Sequence, residues 1–253
     1  MYLKKLVKKI AQSFGLEIVR VRVEDHYFPD VPAVFVETYK KVQPYTMTSP
    51  ERIISLCEAV KYVQDKNIEG DIVECGVWKG GSMMAVAEIL LRAGDTTRDL
   101  YLFDTFEGMP PPTVNDVDIV GVTAESLLDR SDKERDESVW CRATLDVVRK
   151  ALGSTGYPSE KVHFIKGMVE ETIPHFVPAK IALLRLDTDW YESTKHEMEH
   201  LFPRLSKGGV LIIDDYGHWQ GARKAVDEYL EKNDVKILLN RIDYTGRIAV
   251  KVD

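Results

Sequence analysis

Short apolar runs alternate with segments of helical periodicity from residue 70 onward. The apolar runs are continuous and are separated by helical stretches, a pattern typical of parallel strands that are buried on both faces. The predicted strands cover 71–75, 100–103, 161–165, 181–186 and 210–213, and the predicted helices cover 82–91, 168–173, 191–205 and 219–232.

The last part of the chain breaks the parallel pattern. Two further apolar runs, 235–239 and 247–252, are joined by a DYTG sequence at 243–246, which is typical of a hairpin connection. We therefore expect an α/β fold with a doubly wound, mostly parallel, seven-stranded sheet that ends in an antiparallel hairpin. The usual nicotinamide-cofactor domain lacks such a hairpin, because its strands all run one way.

The first 48 residues precede the predicted sheet, and we expect them to form an arm or cap on a main domain at 49–253. Leu3, Leu6 and Ile10 are interleaved with lysines, which predicts a basic amphipathic helix and not a cleaved secretory signal. Such a helix packs on the body of the protein or on a partner subunit, with transient contact to a membrane surface as the alternative. We therefore expect that the chain can form a homodimer or a higher oligomer.

Residues 109–140 interrupt the alternation of strands and helices inside the main domain. This segment opens with three prolines and is dense in Asp, Glu and Ser. A polar insertion of this length in a compact domain is either disordered or functional. Because it follows the carboxyl end of the second predicted strand, we expect it to be a lid over a binding site.

Composition excludes several classes of protein. The chain has 253 residues, of which 44% are hydrophobic and 30% charged, close to the average for globular proteins. Its net charge of −7 argues against a nucleic-acid binder, and no apolar run approaches the roughly 18 residues of a membrane span. The three cysteines show no paired spacing, which is typical of reduced thiols in a cytoplasmic protein.

A glycine-rich junction follows the first predicted strand, with the sequence ECGVWKGGS at 74–82. Glycines at such a junction let the backbone approach a ligand, and the amides of the next helix favour an anionic group. Asp104 ends the next strand, about where a doubly wound fold places a carboxylate for ribose hydroxyls. The pattern indicates a nucleoside-bearing ligand, either S-adenosylmethionine or a dinucleotide, or else a simple tight turn.

Four aspartates end two other predicted strands. Asp187 and Asp189 follow the strand at 181–186, and Asp214 and Asp215 follow the one at 210–213. Neighbouring parallel strands lie about 4.8 Å apart, so the four carboxylates should converge and repel one another unless a cation compensates them. Oxygen ligands favour Mg²⁺, Mn²⁺ or Ca²⁺ over zinc. The alternative is that some of these aspartates cap the following helices.

Three other residues carry weaker expectations. His218 could reach the acidic group from its loop. Arg185, inside an apolar strand, is expected to pair with an acid for structural reasons, and Trp190 is expected either to pack its helix or to contact a ligand.

These motifs, in this order, resemble the macrocin O-methyltransferases. The resemblance implies a class I, Rossmann-like methyltransferase fold and an enzyme that depends on S-adenosylmethionine and on Mg²⁺ (or Mn²⁺). It also implies that the acceptor is a small-molecule hydroxyl, of a sugar or a glycosylated natural product. The motifs span about residues 45 to 235 and are ECGVWKGG at 74–81, DTFEG at 104–108, LRLDTD at 184–189 and IIDDY at 212–216.

The resemblance also implies roles for individual residues. Asp187, Asp214 and Asp215 would bind the metal, and Asp189 would be the general base that takes the proton of the acceptor hydroxyl. Asp104 would hold the ribose of the cofactor. The other residues implied to bind the cofactor are Thr46, Met47, Glu74, Gly76, Val77, Ser82, Thr105, Phe106 and Gly167, together with Asp187.

Two other functions compete with methyl transfer. An Asp-x-Asp sequence at a strand end is also typical of sugar-nucleotide glycosyltransferases, where it binds Mn²⁺ and a diphosphate. Such an enzyme has no need of the glycine junction at 76–82 or of Asp104. A methyltransferase domain that only binds ligands would have no reason to keep a complete carboxylate set. The sequence therefore favours a metal-dependent O-methyltransferase.

Overall fold

A computed structural model describes residues 29–135 and 138–252, so the predicted basic helix near the N-terminus lies outside the described residues. Seven strands form one sheet in the order β3-β2-β1-β4-β5-β7-β6, which confirms the predicted fold class. The strands are β1 (Asp71–Cys75), β2 (Leu100–Asp104), β3 (Val162–Lys166), β4 (Ile181–Leu186), β5 (Leu205–Ile213), β6 (Asn240–Arg241) and β7 (Arg247–Val250).

The first five strands run parallel, and β7 pairs antiparallel with both β5 and β6. Every residue of β4 is buried, as expected for a central parallel strand whose two faces are covered by helices. Because β1 lies between β2 and β4, the chain reverses its direction of winding at β1. A ligand crevice is expected at the carboxyl ends of the strands beside such a point.

Helices cover both faces of the sheet. One face packs with α1, α2, α3 and α5, and the other with α6, α7 and α8. The helices are α1 (Ala33–Val42), α2 (Pro50–Asp65), α3 (Gly81–Arg92), α4 (Ala124–Arg130), α5 (Leu145–Gly153), α6 (Val169–Thr172), α7 (Tyr191–His200) and α8 (Gln220–Lys232). No helix among the described residues is long and apolar enough to cross a bilayer.

Two predicted boundaries are wrong. The helix predicted at 191–205 ends at His200, because Pro203 enters a 3₁₀ turn (Phe202–Arg204), and β5 begins at Leu205 instead of residue 210. The strand predicted at 235–239 is not formed. Its alternate residues, such as Ile237, pack on the core, while Leu238 is 82% exposed, so the segment has a strand's alternation without a partner strand.

Candidate active site

A cavity of about 370 Å³ opens at the carboxyl ends of β1, β2, β4 and β5. Its wall is completed by the segment before α2 and by parts of the 109–140 insertion. Glu74 and Phe106 do not line this cavity. The other residues predicted for the site do line it, and they are Thr46, Met47, Gly76, Val77, Ser82, Asp104, Thr105, Gly167, Asp187, Asp189, Asp214 and Asp215.

The glycine junction leaves no room for side chains. Gly76 has a φ of +82°, and a Cβ atom there would lie 2.0 Å from the carbonyl oxygen of Asp187. A Cβ atom at Gly81 would lie 2.6 Å from the carbonyl oxygen of Tyr45, in the segment before α2. Both glycines therefore allow backbone to pass against backbone, one towards the acidic residues and the other towards Thr46.

Asp104 holds the glycine junction in place. Its Oδ2 accepts hydrogen bonds from the backbone N–H groups of Val77 (2.7 Å) and Trp78 (3.2 Å). Its Oδ1 accepts from the N–H of Phe106 at 2.6 Å. Burial raises the pKa of Asp104, and these hydrogen bonds oppose the rise. The sequence predicted that Asp104 binds the ribose of a ligand. The structure adds that the same carboxylate fixes the glycine junction.

Glu74 lies behind the cavity and is fully buried. Its Oε1 lies 2.7 Å from Nη1 of Arg185, while its Oε2 has no hydrogen-bond partner among the described residues. Burial raises the pKa of Glu74 to about 7, although the charge of Arg185 lowers it.

Three of the four aspartates form a compact group. Asp187, Asp214 and Asp215 each offer a carboxylate oxygen, and these oxygens lie within 4.8 Å of one another. Burial and the neighbouring carboxylates raise the pKa values of Asp187 and Asp215 well above the ordinary range. Among the described residues, Oδ2 of Asp215 is buried without a hydrogen-bond partner.

Asp189 lies beside this group in an unusual backbone conformation. Its φ of +67° is rare for a residue other than glycine, although Asp tolerates it better than most. Burial raises the pKa of Asp189 to about 7, and a hydrogen bond with Asp215 opposes the rise. Its carboxylate can therefore take up a proton near neutral pH.

Arginines supply part of the compensating charge, which corrects the expectation of four uncompensated aspartates. Arg185 places Nη1 2.8 Å from Asp187 and Nη2 2.7 Å from Asp214. Arg52, in the first turn of α2, contacts Asp214 through Nη1 and lies 3.1 Å from Asp243 through Nε. Arg185 pairs with acids, as expected. Arg52 was missed because nothing local connects it to Asp214 and Asp243, which lie 162 and 191 positions away.

The residues present fit a divalent cation. Two guanidinium groups contact four carboxyl groups (Glu74, Asp187, Asp214 and Asp243), and Asp189 and Asp215 add two more. Four negative charges would therefore stay uncompensated if all six were ionised. The orphaned oxygen of Asp215 supplies a free ligand atom, and the compact oxygen set suits Mg²⁺ or Mn²⁺.

Two further residues line the cavity beyond Gly167. Oε1 of Glu170 accepts from the hydroxyl of Ser193 at 2.8 Å, while Oε2 is buried without a partner among the described residues. Neither residue was predicted, because Glu170 stands among other acidic residues of a short helix and carries no distinct signal. The arrangement leaves one carboxylate oxygen able to accept a hydrogen bond from a ligand.

His218 and Trp190 lie near the acidic group in different ways. His218 lines the cavity, as the sequence suggested, with Nδ1 3.2 Å from the hydroxyl of Tyr244, and burial lowers its pKa. Trp190, directly before α7, packs edge-on against Trp219 and is 2% exposed, so it is a core residue and does not line the cavity.

The sequence model of the macrocin O-methyltransferase family matches residues 37–249. The chain belongs to this family. Membership makes it an O-methyltransferase.

Three proteins that are similar to this chain are named as O-methyltransferases. The 8-demethyl-8-(2,3-dimethoxy-α-L-rhamnosyl)-tetracenomycin-C 4′-O-methyltransferase of Streptomyces olivaceus is 35% identical over 80% of this chain and 74% of its own. The mycinamicin III 3″-O-methyltransferase of Micromonospora griseorubida is 31% identical, over 80% of this chain and 76% of its own. The solved structure of the O-methyltransferase NovP superposes with a TM-score of 0.72 at 30% identity, covering 83% of each chain.

Proposed function

We propose that this methyltransferase transfers the methyl group of S-adenosylmethionine to a hydroxyl of a sugar on a glycosylated natural product, with a divalent cation bound by Asp187, Asp214 and Asp215. The observation that carries the proposal is the compact carboxylate group, which shares one cavity with the glycine junction. The names of the similar methyltransferases, which act on rhamnosyl-tetracenomycin and mycinamicin, support a sugar hydroxyl as acceptor.

The cofactor would lie along the ends of β1, β2 and β3. Gly76, Val77 and Ser82 would surround its methionine end, because backbone approaches closely there. Glu74 is buried behind this wall, and its unpartnered Oε2 would take part only if the ammonium group of the cofactor reaches past the cavity lining. Other residues of the cavity wall are proposed to contact the rest of the cofactor or to cover it, and they are Asp104, Thr105, Gly167, Glu170, Asp187, Thr46 and Met47. Phe106 lies outside the wall and would act through its N–H, which donates to Asp104.

When bound, the divalent cation would lower the pKa of the acceptor hydroxyl, and the sulfonium would supply the methyl group. Asp189 would accept the hydroxyl proton on its carboxylate, because it lines the cavity beside the proposed metal ligands. Arg185 and Arg52 would keep Asp187 and Asp214 oriented through their ion pairs. The acceptor oxygen would then form a bond to the methyl carbon as the bond between that carbon and sulfur breaks, which would give a methyl ether and S-adenosylhomocysteine. Asp189 would afterwards release its proton to solvent.

The 109–140 insertion would act as a lid that excludes water. Met109, Pro110, Ser138 and Val139 contribute mostly apolar surface to the cavity wall. Cys141, at the base of the insertion, also lines the wall, and burial raises the pKa of its thiol well above the ordinary value. The thiol therefore stays protonated and does not compete with the acceptor for the methyl group.

Location and assembly are also proposals. We propose a cytoplasmic enzyme, supported by three free thiols at Cys57, Cys75 and Cys141. A homodimer or higher oligomer is proposed from the basic amphipathic pattern near the N-terminus.

The proposal is tested by following methyl transfer from labelled S-adenosylmethionine to a panel of deoxysugar glycosides, with Mg²⁺ and with excess chelator. We expect a labelled ether product with Mg²⁺, loss of turnover with chelator, and loss of turnover in Asp189→Asn at saturating Mg²⁺. Full turnover in chelator would contradict the metal assignment. Binding of a nucleotide-sugar in place of S-adenosylhomocysteine would instead support a glycosyltransferase.

A further inference from the structure

The insertion carries a fully buried aspartate that has no place in the proposed chemistry. Asp116 is 0% exposed and does not line the cavity. Its Oδ2 accepts hydrogen bonds from the backbone N–H (2.6 Å) and the hydroxyl (2.9 Å) of Thr113, which closes a turn within the insertion. The other oxygen, Oδ1, reaches out of the insertion.

Oδ1 of Asp116 accepts a hydrogen bond of 2.7 Å from the backbone N–H of Tyr191, the first residue of α7. The first N–H groups of a helix have no partner within the helix, and a carboxylate at this end also interacts favourably with the helix dipole. Gly221 provides the room, because a Cβ atom at that position would lie 2.5 Å from Oδ1. The insertion therefore caps α7 with a side chain from 75 residues away in sequence.

A second contact joins the insertion to Trp190, the residue before Tyr191. The indole Nε1 of Trp190 donates to the carbonyl oxygen of Pro110 at 3.0 Å. Trp190 and Tyr191 directly follow Asp189, whose backbone has a φ of +67°. A residue in this conformation keeps it only when its neighbours are held firmly.

We propose that Asp116 is a positioning residue for Asp189: by capping α7 at Tyr191 it fixes the turn that aims the proposed general base into the cavity. The inference rests on the proposed function, in which Asp189 takes the proton of the acceptor hydroxyl. It assigns the insertion a second role besides covering the cavity, because the same segment supports the residues that follow Asp189.

The insertion contains a matched control for this inference. Asp118 is also buried (7% exposed) and also closes a turn, with its Oδ1 accepting from the N–H groups of Val120 (2.9 Å) and Val122 (2.8 Å). Its carboxylate makes no hydrogen bond to residues 189–191 within the part of the chain that the structure describes. Loss of Asp118 therefore loosens the insertion without releasing the turn at Asp189.

The test compares Asp116→Ala with Asp118→Ala in the full-length enzyme, using steady-state kinetics and the affinity for S-adenosylhomocysteine. For Asp116→Ala we expect kcat to fall by roughly 10- to 100-fold, as positional errors of this kind do, while the affinity changes less than about threefold. For Asp118→Ala we expect both quantities to stay within about threefold of wild type. Asp116→Asn, which keeps an oxygen for Tyr191, should recover most of the lost kcat.

Each outcome decides the inference. Equal losses of kcat in the two alanine variants, or a normal kcat in Asp116→Ala, would overturn it. If Asp116→Ala does not fold, Gly221→Ala displaces Oδ1 of Asp116 by placing a Cβ atom 2.5 Å from it, and an unchanged kcat in Gly221→Ala would then overturn the inference. Failure of the wild-type enzyme to bind S-adenosylhomocysteine or to transfer methyl groups would count against the proposed function instead.

Discussion

The two sides of the cavity are built on different principles. On the side of β1 and β2, the proposed cofactor residues act largely through backbone, since Gly76 and Gly81 remove side-chain volume and Asp104 binds three backbone N–H groups. On the side of β4 and β5, the wall consists of carboxylates, with Arg185 and Arg52 as partial compensation. Burial and the neighbouring carboxylates raise the pKa values of Asp187 and Asp215.

The difference shows which kind of substitution each side should tolerate. The glycine side depends on shape, so a small neutral side chain should damage it as much as a charge. The acidic side depends on charge, so an isosteric amide should fit its space and still abolish its function. Gly76 connects the two, because its missing Cβ atom makes room for the carbonyl oxygen of Asp187.

The largest effect is expected for Asp215→Asn. The amide has the same shape, and Oδ2 of Asp215 has no hydrogen-bond partner in the described structure, so little packing should be lost. Loss of the negative ligand should reduce kcat/KM by roughly 10³-fold, equivalent to about 4 kcal/mol. Steady-state kinetics over a Mg²⁺ series measures this loss. An affinity for S-adenosylhomocysteine that fell as far as kcat/KM would break the division between the two sides.

The second-largest effect is a loss of stability when Gly76, which connects the two sides, is replaced. Gly76→Ala would place a Cβ atom 2.0 Å from the carbonyl oxygen of Asp187 at a φ of +82°. Strain of this kind should lower the free energy of unfolding by about 3 kcal/mol. Urea denaturation gives the value, with Gly94→Ala as control, since Gly94 also has a positive φ (+72°) but nothing within 4 Å of its Cβ position. Equal losses in both variants would show that close approach contributes nothing.

A smaller effect is expected for Asp104→Ala on the cofactor side. It removes three hydrogen bonds that fix the junction and the proposed ribose ligand. We expect the affinity for S-adenosylhomocysteine to fall by about 2 kcal/mol, roughly 30-fold, while kcat at saturating cofactor stays near wild type. Calorimetry and kinetics at high cofactor concentration separate the two. A kcat that fell as far as in Asp215→Asn would contradict the division.

The smallest effect is a change of stability with pH, and it comes from Glu197. This acid is fully buried, and its Oε1 accepts a hydrogen bond of 3.0 Å from the hydroxyl of Thr188. Burial raises the pKa of Glu197 well above its ordinary 4.5, so the folded protein keeps a proton that the unfolded chain loses. Its stabilising contribution is therefore complete below pH 4.5 and is lost as pH rises towards the folded pKa, at about 1.4 kcal/mol per pH unit.

Glu197→Gln should remove this part of the pH dependence, because the amide stays neutral and still accepts from Thr188. Denaturation at several pH values between 5 and 9 should give a flatter stability profile for the variant than for wild type. Parallel profiles would mean that Glu197 is ionised in the folded protein.

The sequence predicted most of the sheet, and the reason is visible in β4 and in the 235–239 segment. A strand buried on both faces, such as β4, has a continuous apolar run, and the pattern identifies it unambiguously. The 235–239 segment has a strand's alternation because one of its sides packs on the core, but pairing needs a partner that no local pattern reveals.

In the site, local sequence predicted which residues gather at the strand ends but not how they are held. The aspartates after β4 and β5 were found because strand ends converge. The contacts of Arg52 with Asp214, of Asp116 with Tyr191 and of Glu197 with Thr188 depend on tertiary packing, and none has a local signal.

The central claim is that a cofactor site and a separate metal site share this cavity. Calorimetric titration of the metal-stripped enzyme with S-adenosylhomocysteine, repeated with Mg²⁺, tests it most directly. We predict binding with a Kd on the order of 10 µM or tighter in both conditions, with Mg²⁺ needed only for methyl transfer. Absence of binding with and without Mg²⁺ would contradict the claim.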